Sequence, residues 1–114
     1  PLDVQEYIEG YELEVPCIRY KNTIEAAFPV GIEYKGSSIL KDVALTYDIR
    51  MKKDYTHYNF RNINAKISDS IEETAKLVME YINIEGLGRV DFRVAPSGKY
   101  YVTDIAAHPG IGPA

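Results

Sequence analysis

The first half of the chain alternates apolar and polar residues in short runs. Between residues 13 and 20, the apolar residues Leu13, Val15 and Cys17 are separated by polar or turn-forming residues. A period of two predicts a β-strand with one buried face. Further strands are predicted over residues 4–8, 28–34 and 43–49, with a turn at Lys21-Asn22.

Residues 50–66 are polar, rich in tyrosine and without periodicity. This composition predicts a long loop, and a loop of that length in a small domain is uncommon and often functional. It contains two adjacent lysines, Lys52 and Lys53, which either form a solvated charged run or contact a small anion.

A helix is predicted after this loop. Ile71, Ala75, Val78 and Ile82 recur at helical spacing and make one apolar face. Ser68, Asp69 and Ser70 are candidate N-caps, and Glu72 and Glu73 are placed for a capping box. Gly86 and Gly88 mark the end of the helical region.

The last predicted element is a hairpin. Residues 89–95 alternate, Pro96-Ser97-Gly98 forms a turn, and residues 99–106 alternate again. Strands therefore flank one long helix. The fold class predicted from this order is α+β, with an antiparallel sheet, one long helix and short helical segments.

The hairpin would place four charged residues on one face. With the turn centred between Ser97 and Gly98, Asp91 lies opposite Asp104, and a core face forms behind them. The expected facing pairs are Ala95 with Tyr100, Arg93 with Val102, and Asp91 with Asp104. The expected core face contains Val90, Phe92, Val94, Tyr101, Thr103 and Ile105. The expected polar face carries Arg89, Asp91, Arg93 and Asp104.

Two aspartates directly opposite each other would have Cβ atoms about 5 Å apart, and like charges at that distance are destabilising. A magnesium ion shared with phosphate oxygens would offset the repulsion, and Arg89 or Arg93 could neutralise the pair or contact phosphate. The alternative is an ordinary surface lattice of salt bridges. A slip of one residue would send Asp104 to the opposite face.

Composition narrows the classes of function. Hydrophobic residues make up 46% and charged residues 26% of 114 residues, as in an ordinary soluble domain. The net charge of −4 argues against nucleic acid as a partner, and no apolar run approaches the ~20 residues that cross a bilayer. The single cysteine, Cys17, is expected to be a small core residue in a cytoplasmic protein.

Three stretches carry a resemblance to a known family. The segments Gly88–Phe92 and Tyr101–Gly110 resemble the terminal metal-binding motif of the D-alanine–D-alanine ligases, a group of ATP-grasp enzymes. Residues 4–13 look like the strand of that family that contacts adenine and ribose. Residues 47–52 are similar to its segment with a phosphate-binding lysine. The chain is therefore identified as the C-terminal part of an ATP-grasp protein, residues 1–114, cut from a longer chain.

The resemblance implies roles for individual residues. Asp91 and Asp104 would bind magnesium, with manganese as the alternative ion, and Arg89 would stabilise the transferred phosphoryl group. Glu12 would hold the ribose of ATP. The residues implied at the adenine slot are Gln5, Glu6 and Ile8, and the implied phosphate contact is Lys52 or its neighbour Lys53.

Three positions depart from the family pattern. Asp104 replaces the usual glutamate and is one methylene shorter. Ala106 occupies the position of a metal-binding asparagine and has no ligand atom. His108 stands where a small polar residue is expected. A histidine could supply a new contact there, but we favour the interpretation of a partly exposed residue that binds no metal.

The resemblance implies an ATP-dependent ligase that joins a small carboxylate to an amine through an acyl phosphate. The isolated chain is expected to be inactive, because substrate and ATP-clamping parts are missing. A nucleotide-binding module without catalysis and a purely structural α+β domain are the alternatives. A homodimer is one option for the oligomeric state.

Overall fold

The computed structural model describes residues 10–34, 39–40 and 55–107. The strands predicted over residues 4–8 and 43–49 lie outside these residues. The elements are β1 (Gly10–Tyr20), β2 (Thr23–Ala26), β3 (Val30–Tyr34), β4 (Ile39–Leu40), β5 (Tyr55–Asn59), a short 3₁₀ helix (Phe60–Asn62), α1 (Ala65–Tyr81), β6 (Gly86–Val94) and β7 (Tyr100–Ala107).

The strands form one antiparallel sheet in the order β5-β3-β1-β6-β7, and β2 and β4 also pair with β1. The long strand β1 is therefore central, with β3 on one side and β6 on the other. The prediction of an α+β fold with an antiparallel sheet and one long helix is confirmed.

The prediction of a loop over residues 50–66 is wrong for the described part of that range. Residues 55–59 form β5, which pairs with β3 along its whole length. The sequence did not indicate this strand because its side chains do not alternate in polarity. Within this pairing, the ring of Tyr58 lies directly over Gly31 in the neighbouring strand.

Helix α1 begins earlier than predicted. Its N-cap is Asn64, whose side-chain oxygen accepts a hydrogen bond from the backbone N–H of Ile67 at 3.0 Å. Ser68, expected to cap the helix, is instead buried inside it. The helix ends at Tyr81, before the predicted glycines, and Asn83 adopts a positive φ of 59° after it.

The core lies between α1 and one face of the sheet. Alternate residues of β1 and β6 point toward the helix, and Cys17 is 3% exposed among them, as expected for a small core residue. Burial raises the pKa of the Cys17 thiol to about 11. The buried core residues are Leu13, Val15, Cys17, Phe60, Ile71, Ala75, Met79, Val90, Phe92 and Val94.

The predicted helix face is partly wrong. Ile71 and Ala75 are buried as expected, but the third buried position is Met79, while Val78 is only half-buried and Ile82 is 41% exposed. Val78 and Ile82 instead line an apolar groove of about 660 Å³ between α1 and β7. Within the described ranges, no helix is both long and apolar enough to cross a bilayer.

The hairpin register agrees with the prediction at the acidic pair and differs near the turn. Asp91 lies opposite Asp104, as predicted, but Arg93 lies opposite Tyr101 and Val94 opposite Tyr100. The turn is centred on Ser97 and not between Ser97 and Gly98, because Ala95 pairs with Lys99 and Gly98 adopts a φ of 96°.

A β-bulge after Asp91 absorbs the difference. Phe92 therefore pairs with Val102, and Thr103 is the extra residue of the bulge. Tyr101 consequently lies on the face of Arg93, which corrects its predicted place on the core face. Tyr100 takes the core position, with its ring 5.8 Å from that of Phe92.

Candidate functional site

The candidate site is the sheet face turned away from α1, here called the polar face. Because β1, β6 and β7 are in register, side chains at paired positions lie on the same face. The register places Glu12 beside Arg93, Glu14 beside Asp91 and then Asp104, and Pro16 beside Arg89 and then Ala106. All the site residues predicted within the described ranges therefore meet on this face.

Three acidic residues form a row across the polar face. Glu14 lies beside Asp91, which lies opposite Asp104, on three successive strands. Asp91 is 6% exposed, whereas Asp104 is exposed and accepts a hydrogen bond from the Ile105 N–H at 2.9 Å. The predicted convergence of Asp91 and Asp104 on one face is confirmed.

Glu14 was not predicted as a site residue. Its place in the alternation of β1 assigned it to the polar face, but alternation does not reveal which strand lies alongside. The pairing of β1 with β6 brings Glu14 to Asp91, and its charge contributes to raising the pKa of Asp91.

Arg89 holds Asp91 by two hydrogen bonds. Nε of Arg89 donates to Oδ1 at 2.8 Å and Nη2 donates to Oδ2 at 3.1 Å. Burial raises the pKa of Asp91 above its ordinary value and Arg89 opposes the rise, while Glu14 and Asp104 add to it. Burial lowers the pKa of Arg89, but the hydrogen bonds and the charge of Asp91 raise it, so that the pKa of Arg89 lies above its ordinary value overall.

Glu12 and Arg93 form a second ion pair, with 2.9 Å between Nε of Arg93 and Oε1 of Glu12. The side chains are 6% exposed for Arg93 and 16% for Glu12. Burial raises the pKa of Glu12, Arg93 lowers it, and the charges of Asp91 and Glu14 raise it further.

The donor set fits magnesium only in part. In residues 10–34, 39–40 and 55–107, no group of three His, Cys, Asp or Glu residues is arranged to hold an ion by itself. Asp91 and Asp104 nevertheless offer two facing carboxylates, and magnesium commonly binds one or two carboxylates together with substrate phosphates and water. These residues therefore fit an ion that arrives with a nucleotide, and Ala106 offers it no ligand atom.

Several predicted positions lie outside the described residues. They are Gln5, Glu6 and Ile8 at the expected adenine slot, Lys52 and Lys53 at the expected phosphate contact, and His108. Their roles stay predictions.

Sequence comparison relates this chain to known proteins. The family described as D-ala D-ala ligase C-terminus matches residues 3–114. A D-alanine–D-alanine ligase from Aquifex aeolicus (strain VF5) is 24% identical over 108 residues, which is 95% of this chain and 33% of the relative. The ligase of the same name from Lactococcus lactis subsp. cremoris (strain MG1363) is 25% identical over 113 residues, or 95% of this chain and 30% of the relative.

The chain thus spans about a third of the length of the curated relatives it matches. The family match covers nearly every residue, including all of the polar face. This chain belongs to the D-ala D-ala ligase C-terminus family.

Proposed function

We propose that this chain is the nucleotide- and magnesium-binding part of an ATP-grasp ligase, which joins a carboxylate to an amine as D-alanine–D-alanine ligases do. The observation that carries the proposal is the facing pair Asp91 and Asp104 with Arg89 beside it. Two facing acids repel each other, and a cation bound between them would offset this repulsion. The adjacent arginine could then contact the phosphate chain that accompanies the cation.

The polar face would act by positioning and by charge. Asp91 and Asp104 would hold the metal ion, which when bound neutralises the phosphates of ATP. Arg89 would stabilise the negative charge that develops as the γ-phosphoryl group passes to the substrate carboxylate. The amine then attacks the acyl phosphate and releases phosphate. Glu12 would accept hydrogen bonds from the ribose hydroxyls.

The remaining parts of the site complete the proposal. Gln5, Glu6 and Ile8 would line the adenine slot and Lys52 would contact phosphate. The carboxylate and amine substrates would be selected mainly by parts of a longer, cytoplasmic protein outside residues 1–114, because relatives are about three times as long. The chain alone would therefore lack turnover.

The test uses the complete protein that carries this chain. Calorimetry should detect binding of ATP that depends on magnesium, and D-alanine should stimulate release of ADP. Asp91→Asn should weaken magnesium-dependent binding by about tenfold or more, since it removes a charged ligand. Asp69→Asn is the matched control, because Asp69 is an exposed partner of Arg61 on the helix side. Equal affinity of wild type and Asp91→Asn for Mg-ATP would overturn the metal assignment.

Ala106 favours a second candidate function. It lies opposite Arg89 at the position where the resemblance calls for a metal-binding asparagine. A site with one ligand fewer could bind nucleotide without supporting phosphoryl transfer. Tight magnesium-dependent ATP binding with no ADP release in the presence of D-alanine or other amino acids would select this nucleotide-binding module over the ligase.

A further inference from the structure

The Glu12–Arg93 pair lies where the two most extensively paired strands meet. Glu12 is on the central strand β1 and Arg93 is directly opposite it on β6. The two side chains meet at 2.9 Å and both are largely shielded from water. Neither the hydrophobic periodicity nor the family motif called for this contact.

A carboxylate in this place is costly to keep charged. Burial removes its hydration, and Asp91 and Glu14 lie close enough to repel it. Arg93 supplies the opposing charge and a directed hydrogen bond to Oε1. An ionised carboxylate has about four lone-pair directions, so accepting a bond from Arg93 leaves capacity for two more donors.

We propose that Arg93 is a positioning residue for the nucleotide, which orients the Glu12 carboxylate and keeps it ionised as the acceptor for the two ribose hydroxyls. The inference rests on the proposed function, because it assumes that a nucleotide binds on the polar face. Arg93 itself contacts Glu12 and not the ligand. It acts through the geometry and charge of that residue.

Loss of Arg93 should affect recognition of one part of the nucleotide selectively. Removing Arg93 leaves a buried acid without its cation, so Glu12 takes up a proton or turns toward water. Either change damages recognition of the ribose hydroxyls and spares recognition of adenine and phosphates. If Arg93 had a purely structural role, its replacement would instead weaken the binding of all nucleotides alike.

The experiment compares Mg-ATP with Mg-2′,3′-dideoxy-ATP, which lacks both hydroxyls, on the complete protein by calorimetry. Wild type should bind ATP about tenfold more tightly than the dideoxy analogue, as expected for hydrogen bonds to a charged acceptor. Arg93→Met, which keeps an unbranched stem without charge, should lose that preference while binding the analogue as wild type does. A preserved tenfold preference in Arg93→Met would overturn the proposal.

Further variants keep the test decisive if Arg93→Met does not fold. Arg93→Lys retains the charge but not the planar donor and should keep part of the preference. Glu12→Gln should abolish it. A full preference in Arg93→Lys together with Glu12→Gln would overturn the proposal. Arg61→Met, which breaks an exposed ion pair, is the matched control and should leave the preference unchanged.

Failure of the inference is distinguishable from failure of the proposed function. Absence of any magnesium-dependent nucleotide binding by wild type would overturn both. Binding of ATP and its dideoxy analogue with equal affinity would overturn only the inference, because the metal and phosphate contacts would remain in place.

Discussion

Arg89 holds both carboxylate oxygens of Asp91, at 2.8 Å and 3.1 Å, while a second acid, Asp104, lies directly opposite on the next strand. The arginine offsets part of the repulsion across the hairpin. Because the proposed metal ion would use the same two oxygens, Arg89 and the ion would compete for or share one carboxylate. Replacing either residue of this pair should therefore change the stability of the chain as well as its binding properties.

Arg89→Met should lower the free energy of unfolding by about 2 kcal/mol at neutral pH, because Asp91 would stay buried without its cation beside Glu14 and Asp104. The figure is below that of a fully buried pair because the Arg89 side chain is 30% exposed. Urea denaturation measures the change. In an Asp91→Asn background the same substitution should cost less than half as much. An equal cost in both backgrounds would assign the loss to packing of the arginine stem.

The stability difference between Asp91→Asn and wild type should change with pH. The pKa of Asp91 is raised in the folded chain above its ordinary value of 3.8, so the folded state binds more protons between these two values. The contribution of Asp91 to stability is therefore present below about pH 3.8 and is lost as pH rises through the folded pKa. Arg89, Glu14 and Asp104 are among the charged groups that act on it.

Denaturation series between pH 3 and pH 7 measure this difference, with Asp69→Asn as the control for an exposed acid. The variant should gain stability relative to wild type as pH rises. A difference that is constant with pH, or that falls, would show that the folded chain does not raise the pKa of Asp91.

The arrangement of charged residues on the hairpin was predictable because it depends on residues that are close together in the sequence. Alternation on both arms and a glycine turn were enough to place Asp91 opposite Asp104. The bulge was not predictable, since it depends on how Tyr100 packs against Phe92 and on the left-handed turn at Gly98. Two errors of one residue, in the turn and at the bulge, cancelled at the acidic pair.

The less predictable parts depend on contacts between distant segments. Strand β5 pairs with β3 and places Tyr58 over Gly31, and a polar sequence does not reveal such a pairing between distant segments. Asn64 caps α1 although three other candidates follow it, because its extended backbone directs the side chain to the first free N–H groups. Glu14 joins the site only through the pairing of β1 with β6, and the same pairing brings Arg93 to Glu12.

Gly31→Ala should destabilise the sheet. A Cβ at this position would lie 2.1 Å from the ring of Tyr58, so the ring or the strand must move. Overpacking of this kind costs about 1–3 kcal/mol. Thermal or urea unfolding measures the loss, and adding Tyr58→Leu should recover part of it by vacating the space. Simple additivity of the two substitutions would contradict direct contact as the cause.

Ala106→Asn tests whether the polar face lacks one metal ligand. Ala106 lies opposite Arg89 and on the same face as Asp104, so an asparagine there would direct its carbonyl oxygen toward the acidic pair. One added oxygen ligand should raise the magnesium affinity of the nucleotide complex by about tenfold. Titration of magnesium at fixed ATP on the complete protein measures the gain. Ala107→Asn is the matched control, since Ala107 is exposed, pairs with Gly88 and points to the opposite face. An equal effect of the two substitutions would show that the ion does not lie within reach of position 106, and the assignment of Asp91 and Asp104 as its ligands would then lose its geometric basis.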